Sequence, residues 1–522
     1  MSESNTQRRK NLLLAGATGV AFGLSFPPFR LGFVAYWALV PLFYLLEGKN
    51  GRQAVRWSYV AGFLAHLATL YWISWVTIPG ALGALLVLPL FFVLYGLGHH
   101  WLASHLGPHF VYALPFLWTG IEYLRSLGQI GFPWLSLGYT QSYYTSLIQY
   151  ASVTSVFGVS FWVAWLNVLI YLYLRAPGWK RRLVLILVMA VLFLLPWVHG
   201  RVVMRQYRET QEKIRLALIQ GNIDPYRKWD SAFLDDNMST YERLTEEALK
   251  SRPALIIWPE TALPMYIRHE PRYLQWMYEH IGRWETPVLS GAPDYEYGED
   301  GVLRTYNAAF LFEPGRADLQ WYAKLQLVPF GERVPYQGAL GWFKDLLDKL
   351  EMGQGDFSPG PGVRVFHLKA ALSGSSAIRR VCLATVICYE SIFPDLVRQF
   401  VLAGGQFLVV ITNDGWFGRT SGPYQHERAA VFRAIETRRW IARCANTGLS
   451  CLIDPLGRVQ KETDLYREAV VVGEVELRDE DTFYLRYGNV FTRAVTLGNV
   501  VPIALALGRH LRARAGAKAL PV

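Results

Sequence analysis

The sequence predicts a polytopic α-helical membrane bundle of about eight spans joined to an α/β domain with covered sheets. Three observations carry that expectation. Long apolar runs fill most of residues 11–199 and return at 490–508. Only 18% of the 522 residues are charged and 52% are hydrophobic, where an average soluble domain is about 25% charged. Between residues 201 and 488, short β-branched runs alternate with amphipathic stretches, the pattern of strands covered by helices.

The bundle comes first. Apolar segments lie at 11–27, 31–47, 56–78, 80–104, 109–126, 150–174 and 181–199, and a last one at 490–508. Most reach the roughly 20 residues that cross a hydrocarbon core. The first two are short, with Pro27, Pro28 and Pro41 in or near them, and also fit a re-entrant pair. The start MSESNTQRRK has the basic character of a signal peptide, but a second apolar segment follows in place of a cleavage site and a polar chain.

Charge placement orients the bundle. The net charge of +11 is spread in short runs between apolar segments, which reads as membrane topology and not as a nucleic-acid surface. Arg8, Arg9 and Lys10 precede the first segment, and Lys49, Arg52 and Arg56 separate the second from the third. Arg175, Lys180, Arg181 and Arg182 separate the sixth from the seventh, and Arg509, Arg512, Arg514 and Lys518 follow the last. The alternate loops near 78–80 and at 127–149 carry no charge. The positive-inside rule then places both termini in the cytoplasm and the α/β region in the periplasm or its equivalent. The expected division is a bundle at 1–200, a periplasmic domain at 201–488, and a closing span with a basic tail at 489–522. Within the bundle, Glu122 and Arg125 stand near Gly131-Phe132-Pro133-Trp134. They read equally as a functional pair at membrane depth and as an ion pair at a helix end.

The α/β region follows in order. Strands are expected at 214–223, 254–258, 287–292, 307–312, 363–368, 381–389, 407–412, 449–453 and 469–475, with helices at 230–251 and 424–443. The loop at 331–362 is long enough to suggest function. Its piece 338–352, with Leu340, Trp342, Phe343, Leu346, Leu347 and Leu350, reads as a lid touching the membrane interface or as an ordinary packed helix. Arg333 and Lys344 are candidates for a lipid phosphate there.

Chemistry concentrates at strand ends. Glu260 follows the apolar run LIIWP, Lys324 closes WYAK, and Cys388 follows TVI before the polar pair Tyr389–Glu390. Singly, each has an ordinary explanation: a helix cap, a solvated strand residue, a core thiol. Together they form a kit for acyl transfer. A carboxylate takes the thiol proton, and an ammonium favours the thiolate and stabilises a tetrahedral oxyanion. Glu332 is placed to orient Lys324 or to act as a second acid. Cys382, six residues before Cys388, shares its face in an unbroken strand but lacks the polar flank. Four cysteines are too few for a disulfide framework, and a Cys444–Cys451 pair stays open.

These residues carry a family resemblance. WPE at 258–260, AKLQLVPFGE at 323–332 and CYES at 388–391 resemble the three catalytic blocks of the nitrilase (carbon–nitrogen hydrolase) superfamily. NDGWFG at 413–418 is similar to a further block of that superfamily. With the spans, QGNI at 220–223, KWD at 228–230 and GFPW at 131–134, nearly the whole chain resembles the apolipoprotein N-acyltransferase family. The resemblance implies an αββα sandwich with Glu260 as base, Lys324 as oxyanion stabiliser, Cys388 as nucleophile and Glu332 as auxiliary acid. It also marks Tyr389, Glu390, Trp229, Trp416 and Asn307 as activity- or substrate-linked positions. Gly415 departs from the Ala frequent in relatives, a small-for-small change.

What the resemblance implies is transfer of an acyl chain from a phospholipid, typically phosphatidylethanolamine, through a Cys388 thioester. The acceptor is the α-amino group of an apolipoprotein's N-terminal diacylglyceryl-cysteine. The implied setting is the bacterial inner membrane, as a monomer, with no metal, cofactor or nucleic acid. Two other readings compete. A membrane-tethered amidase acting on a soluble substrate would need one anchor and not about eight spans. A transporter or lipid sensor would not need the Glu–Lys–Cys set.

Overall fold

A computed structural model describes residues 4–518 apart from 317, 337–355 and 376. The chain forms two compact units, one of residues up to Arg205 together with those from Asn489 onward, the other Gln206–Gly488.

The first unit is helical. Among the described residues, four helical stretches are long and apolar enough to cross a membrane: Ile78–Arg125, Ala151–Arg175, Trp179–Gln206 and Val490–Arg512. Gly32–Leu46 is apolar but shorter. Helices also cover Asn5–Ser25 and Gly51–Leu70. Small residues let these helices approach closely, as membrane packing requires. A Cβ on Gly62 would lie 2.7 Å from that of Phe92, and one on Gly138 would lie 2.4 Å from the Val156 carbonyl oxygen. Buried polar side chains are used as pins. Asn167 accepts from Leu39 N–H at 2.7 Å and donates to the Ala35 carbonyl at 2.8 Å. Glu122 accepts from Trp118 Nε1 at 2.7 Å and from Leu137 N–H at 2.8 Å, so it ties the segment after GFPW to its own helix.

Among its described residues the second unit holds twelve strands. They are β1 (Lys213–Gln220), β2 (Leu255–Ile257), β3 (Val288–Tyr297), β4 (Leu303–Phe312), β5 (Gln320–Ala323), β6 (Val365–Ala371), β7 (Ile378–Ile387), β8 (Phe407–Thr412), β9 (Ile441–Ala445), β10 (Cys451–Ile453), β11 (Val459–Gln460) and β12 (Ala469–Glu476). One sheet has the order β12-β1-β2-β3-β4-β5 and the other β11-β10-β9-β8-β7-β6. In each, parallel pairs form the centre and antiparallel pairs the flanks. Central strands such as β8 (FLVVIT) are apolar throughout, as strands covered on both faces must be.

The sheets face each other. The Cys444 thiol on β9 lies 3.4 Å from the Ile219 carbonyl and 3.2 Å from that of Ile257. Helices Leu234–Leu249 and Pro271–Trp284 place Met238, Tyr241, Leu244, Met277 and Ile281 on the outer face of the first sheet. Helices Pro394–Leu402 and Gly422–Thr437 pack against the second. The layers run helix, sheet, sheet, helix. Trp258 shows how the core seats the site: it is fully buried, stacks on Tyr241 at 4.8 Å and donates to Thr245 Oγ1 at 3.0 Å. Removing such a side chain costs about 3–5 kcal/mol, and Glu260 follows two residues later.

Two details differ from the sequence reading, and one left open is decided. The helix expected to reach residue 443 ends at Thr437, where Arg438 takes a left-handed φ of 52°, and Ile441–Ala445 is a strand. Its Arg443 is buried and ion-paired, so the polar residue that disguised the strand is part of the core. β7 ends at Ile387, so Cys388 leaves the strand and the same-face relation to Cys382 does not hold. All four cysteines are free, and Cys382 Sγ lies 3.1 Å from His367 Nδ1.

Candidate active site

Three strand ends converge. β2 runs out into Trp258-Pro259-Glu260, β5 into Lys324 and β7 into Cys388. The carboxylate of Glu260 is fixed from both sides, because Oε1 accepts from Asn307 Nδ2 at 2.8 Å and Oε2 from Asn413 N–H at 2.9 Å. Lys324 Nζ lies 3.7 Å from Glu260 Oε1 and donates to Glu332 Oε1 at 2.9 Å. Glu332 accepts a second bond from Asn307 Nδ2 at 3.0 Å, and its other oxygen accepts from Val328 N–H at 2.8 Å. Asn307 on β4 therefore bridges both carboxylates, and its carbonyl accepts from Lys324 N–H at 2.9 Å.

Electrostatics assigns protonation states. Burial alone would lower the Lys324 ammonium, but Glu332 and Glu260 outweigh it and hold it well above the ordinary lysine range. The Cys388 thiol is pushed the other way from the expected thiolate. Burial raises it, Glu260 raises it further, and Lys324 only partly opposes them. A thiol held this high beside Glu260 would have to give up its proton as it reacts and would not start as a preformed thiolate.

The Cys388 turn is strained and clamped. Cys388 has φ of 51°, a region that costs a non-glycine residue about 1–2 kcal/mol and persists only where neighbours enforce it. Glu390 supplies one clamp: Oε2 accepts from Ile387 N–H at 2.7 Å, and Oε1 from Tyr322 OH at 2.6 Å and Leu325 N–H at 2.7 Å. That carboxylate turns into the protein and joins the Cys388 turn to the Lys324 loop. Burial pushes it above the ordinary carboxylate range. Tyr389 is buried and packs edge-on against Phe393 at 5.1 Å.

Comparison with known proteins follows the same lines. The family model for the apolipoprotein N-acyltransferase N-terminal domain matches residues 18–169, and that for carbon-nitrogen hydrolase matches 215–483. A Geobacter metallireducens protein named apolipoprotein N-acyltransferase is 39% identical, with 96% of each chain covered. The chain belongs to the apolipoprotein N-acyltransferase family. Proteins of the same name from Chlorobaculum tepidum and Azotobacter vinelandii are 35% and 32% identical over 95% and 98% of this chain and 96% of their own. The crystal structure of Saccharomyces cerevisiae Nit3, a member of branch 10 of the nitrilase superfamily, overlaps 54% of this chain and 97% of its own at 17% identity, with a TM-score of 0.38.

Behind Cys388 of this family member lies a buried polar network that the sequence did not disclose. His426 Nε2 lies 3.0 Å from the Cys388 carbonyl oxygen and 2.9 Å from Ser391 Oγ. Its Nδ1 lies 2.9 Å from Asp414 Oδ1, and Arg443 Nη2 donates to Asp414 Oδ2 at 2.7 Å. Thr412 Oγ1 donates to Asp414 Oδ1 at 2.8 Å. Lys228 is also buried, donating to the Thr261 carbonyl at 3.2 Å and to its hydroxyl. Burial lowers Lys228 to about 8 even though Glu260 opposes the shift. The helix Gly422–Thr437 carries six buried polar side chains, Gln425, His426, Glu427, Arg433, Glu436 and Thr437, and in the sequence only their density on one helix hints at such a network.

The remaining positions sit around this centre. Trp229 is exposed, with the Lys228 ammonium 5.6 Å from its ring, and Trp416 meets Tyr226 edge-on at 5.2 Å. Gly415 is less tolerant than a small-for-small exchange implies, since a Cβ there would lie 2.6 Å from Thr447 Oγ1. Arg333 donates to the Phe357 carbonyl at 3.0 Å. The segment 338–352, with Lys344, lies outside the described residues.

Proposed function

We propose that this chain N-acylates apolipoproteins through a Cys388 thioester. The reading rests on one observation above all: Glu260, Lys324 and Glu332 meet at the end of the strand that delivers Cys388. Glu260 takes the thiol proton as sulfur attacks the ester carbonyl of a phospholipid, typically phosphatidylethanolamine. Lys324 stabilises the oxyanion, and the departing lysophospholipid alcohol receives the proton from Glu260. In the second half, the α-amino group of an N-terminal diacylglyceryl-cysteine attacks the thioester. Glu260 accepts its proton, and the thiol is restored. Glu332 keeps Lys324 charged and in place. Asn307, Glu390 and Tyr389 hold the parts, and Trp229 and Trp416 serve substrate access.

The same reading gives the chain about eight spans, with the bundle at 1–200, the catalytic domain at 201–488, and a closing span and basic tail at 489–522. The basic loops support cytoplasmic termini and a periplasmic active site at the bacterial inner membrane. The protein works as a monomer without metal or cofactor. A membrane-tethered amidase would use the same triad with water as acceptor. The two part in one experiment: purified protein receives labelled phosphatidylethanolamine and a diacylglyceryl lipopeptide. A triacylated lipopeptide supports the proposal, and release of free fatty acid alone rejects it.

A further inference from the structure

We propose that the membrane unit carries a lipid site of its own, a cavity that takes the headgroup phosphate of an anionic phospholipid. A cavity of about 520 Å³ opens between the turn at Glu47–Lys49, the helix bearing His99, and the ends of the helices that meet at Arg175 and Arg181. Its cations are Lys49, Arg175 and Arg181, and its one lining carboxylate, Glu47, is already paired with Arg175. Lys49 and Arg181 form no ion pair with a carboxylate among the described residues, so the cavity keeps an excess of positive charge.

A second, independent observation points to a ligand. His99 also lines the cavity and is 2% exposed, yet its Nδ1 has no hydrogen-bond partner among the described residues. A buried polar nitrogen without a partner is costly in an apolar setting, and a phosphate oxygen accepting from Nδ1–H would relieve it. Apolar Phe110 and Leu172 complete the lining and suit the glycerol and first methylenes of a lipid. Topology alone does not account for the arrangement. Charges that only set orientation need to reach water, not to converge on one cavity. Basic pockets between membrane helices are recognised anionic-headgroup sites.

The cavity lies at the basic end of the Trp179–Gln206 helix, which has 28 residues and hence a length of about 42 Å. The chain leaves the membrane unit at the other end of that helix. On the functional reading above, the lipid held here is therefore not the acyl donor. It is a bound companion in the leaflet at the basic end.

The test uses the full chain purified in detergent and native mass spectrometry with phosphatidylglycerol, phosphatidylethanolamine or inorganic phosphate added. The wild type is expected to retain one phosphatidylglycerol in preference to phosphatidylethanolamine. The double variant Lys49→Ala/Arg181→Ala should lose that retention by roughly tenfold or more, while the control Arg8→Ala/Arg9→Ala keeps it. Both variants should still form acyl-enzyme, which certifies folding. Equal retention of the two lipids, equal retention by wild type and the double variant, or equal loss in the control overturns the proposal. So does loss of the retained phosphatidylglycerol when inorganic phosphate alone is added, which would mark a free-phosphate site.

Discussion

His426 Nε2 stands 3.0 Å from the main-chain carbonyl oxygen of Cys388. The imidazole thus holds the strained turn that presents the sulfur, and Asp414 and Arg443 hold the imidazole. Replacing His426 by Ala frees that carbonyl. Small misplacements of a nucleophile cost on the order of 10²-fold in rate. Single-turnover acylation of His426→Ala should fall by about that factor, and His426→Gln, which keeps an N–H donor, should recover part of it. Equal rates in wild type and His426→Ala would contradict this role.

Glu260 separates two properties that usually move together. Its charge adds to burial in keeping the Cys388 thiol protonated, and it is also the proposed base. In Glu260→Gln the thiol should titrate lower, because one of the charges that oppose Lys324 is gone and only burial and Asp414 remain. Alkylation by iodoacetamide at pH 8 should speed up, while acyl-enzyme formation slows by about 10²–10⁴-fold. Parallel loss of both would show that Glu260 instead activates a standing thiolate.

Gly291 tests how tightly the base is seated. A Cβ at this position would lie 2.5 Å from Thr261 N and 2.7 Å from Glu260 Cα. Gly291→Ala must therefore move the Glu260 turn. The expected result is an acylation rate lower by roughly 10²-fold with a stability loss of about 1–3 kcal/mol. Activity near wild type would mean that the turn gives way freely.

Asp414 should govern acid stability. Burial alone would raise its pKa, but Arg443 and His426 outweigh it and hold the carboxylate well below its usual range. A depressed folded pKa stabilises the protein above the unfolded value of about 4, and that contribution fades as pH falls toward the folded value. Asp414→Asn should cost about 3–5 kcal/mol near neutrality and flatten the decline in melting temperature below pH 4. An unchanged pH slope would refute the assignment.

The strand ends were legible because an apolar β-branched run that stops at a polar residue marks where a buried strand meets a loop. That pattern located Glu260, Lys324 and Cys388, and the structure brings the first two within 3.7 Å. What holds them in place was not legible. Glu390 beside the nucleophile reads as a flanking group, yet its four hydrogen bonds run inward to Tyr322, Leu325, Gln326 and Ile387. Arg443 disguised a strand because a charged residue is weighed as exposed until its partner, Asp414, is known. His426 and Asp414 are twelve residues apart in sequence, and nothing in their spacing announces the contact. Thiol titration escaped for the same reason: it depends on the balance of burial, Glu260 and Lys324, which only distances fix.

The central claim is a covalent acyl carrier at Cys388. The most direct measurement incubates the purified protein with acyl-labelled phosphatidylethanolamine and maps the label by mass spectrometry. The account predicts one hydroxylamine-sensitive acyl group on Cys388 that discharges when a diacylglyceryl lipopeptide is added, and none in Cys388→Ala. Product formation without a labelled enzyme, or a label that persists in Cys388→Ala, would contradict it.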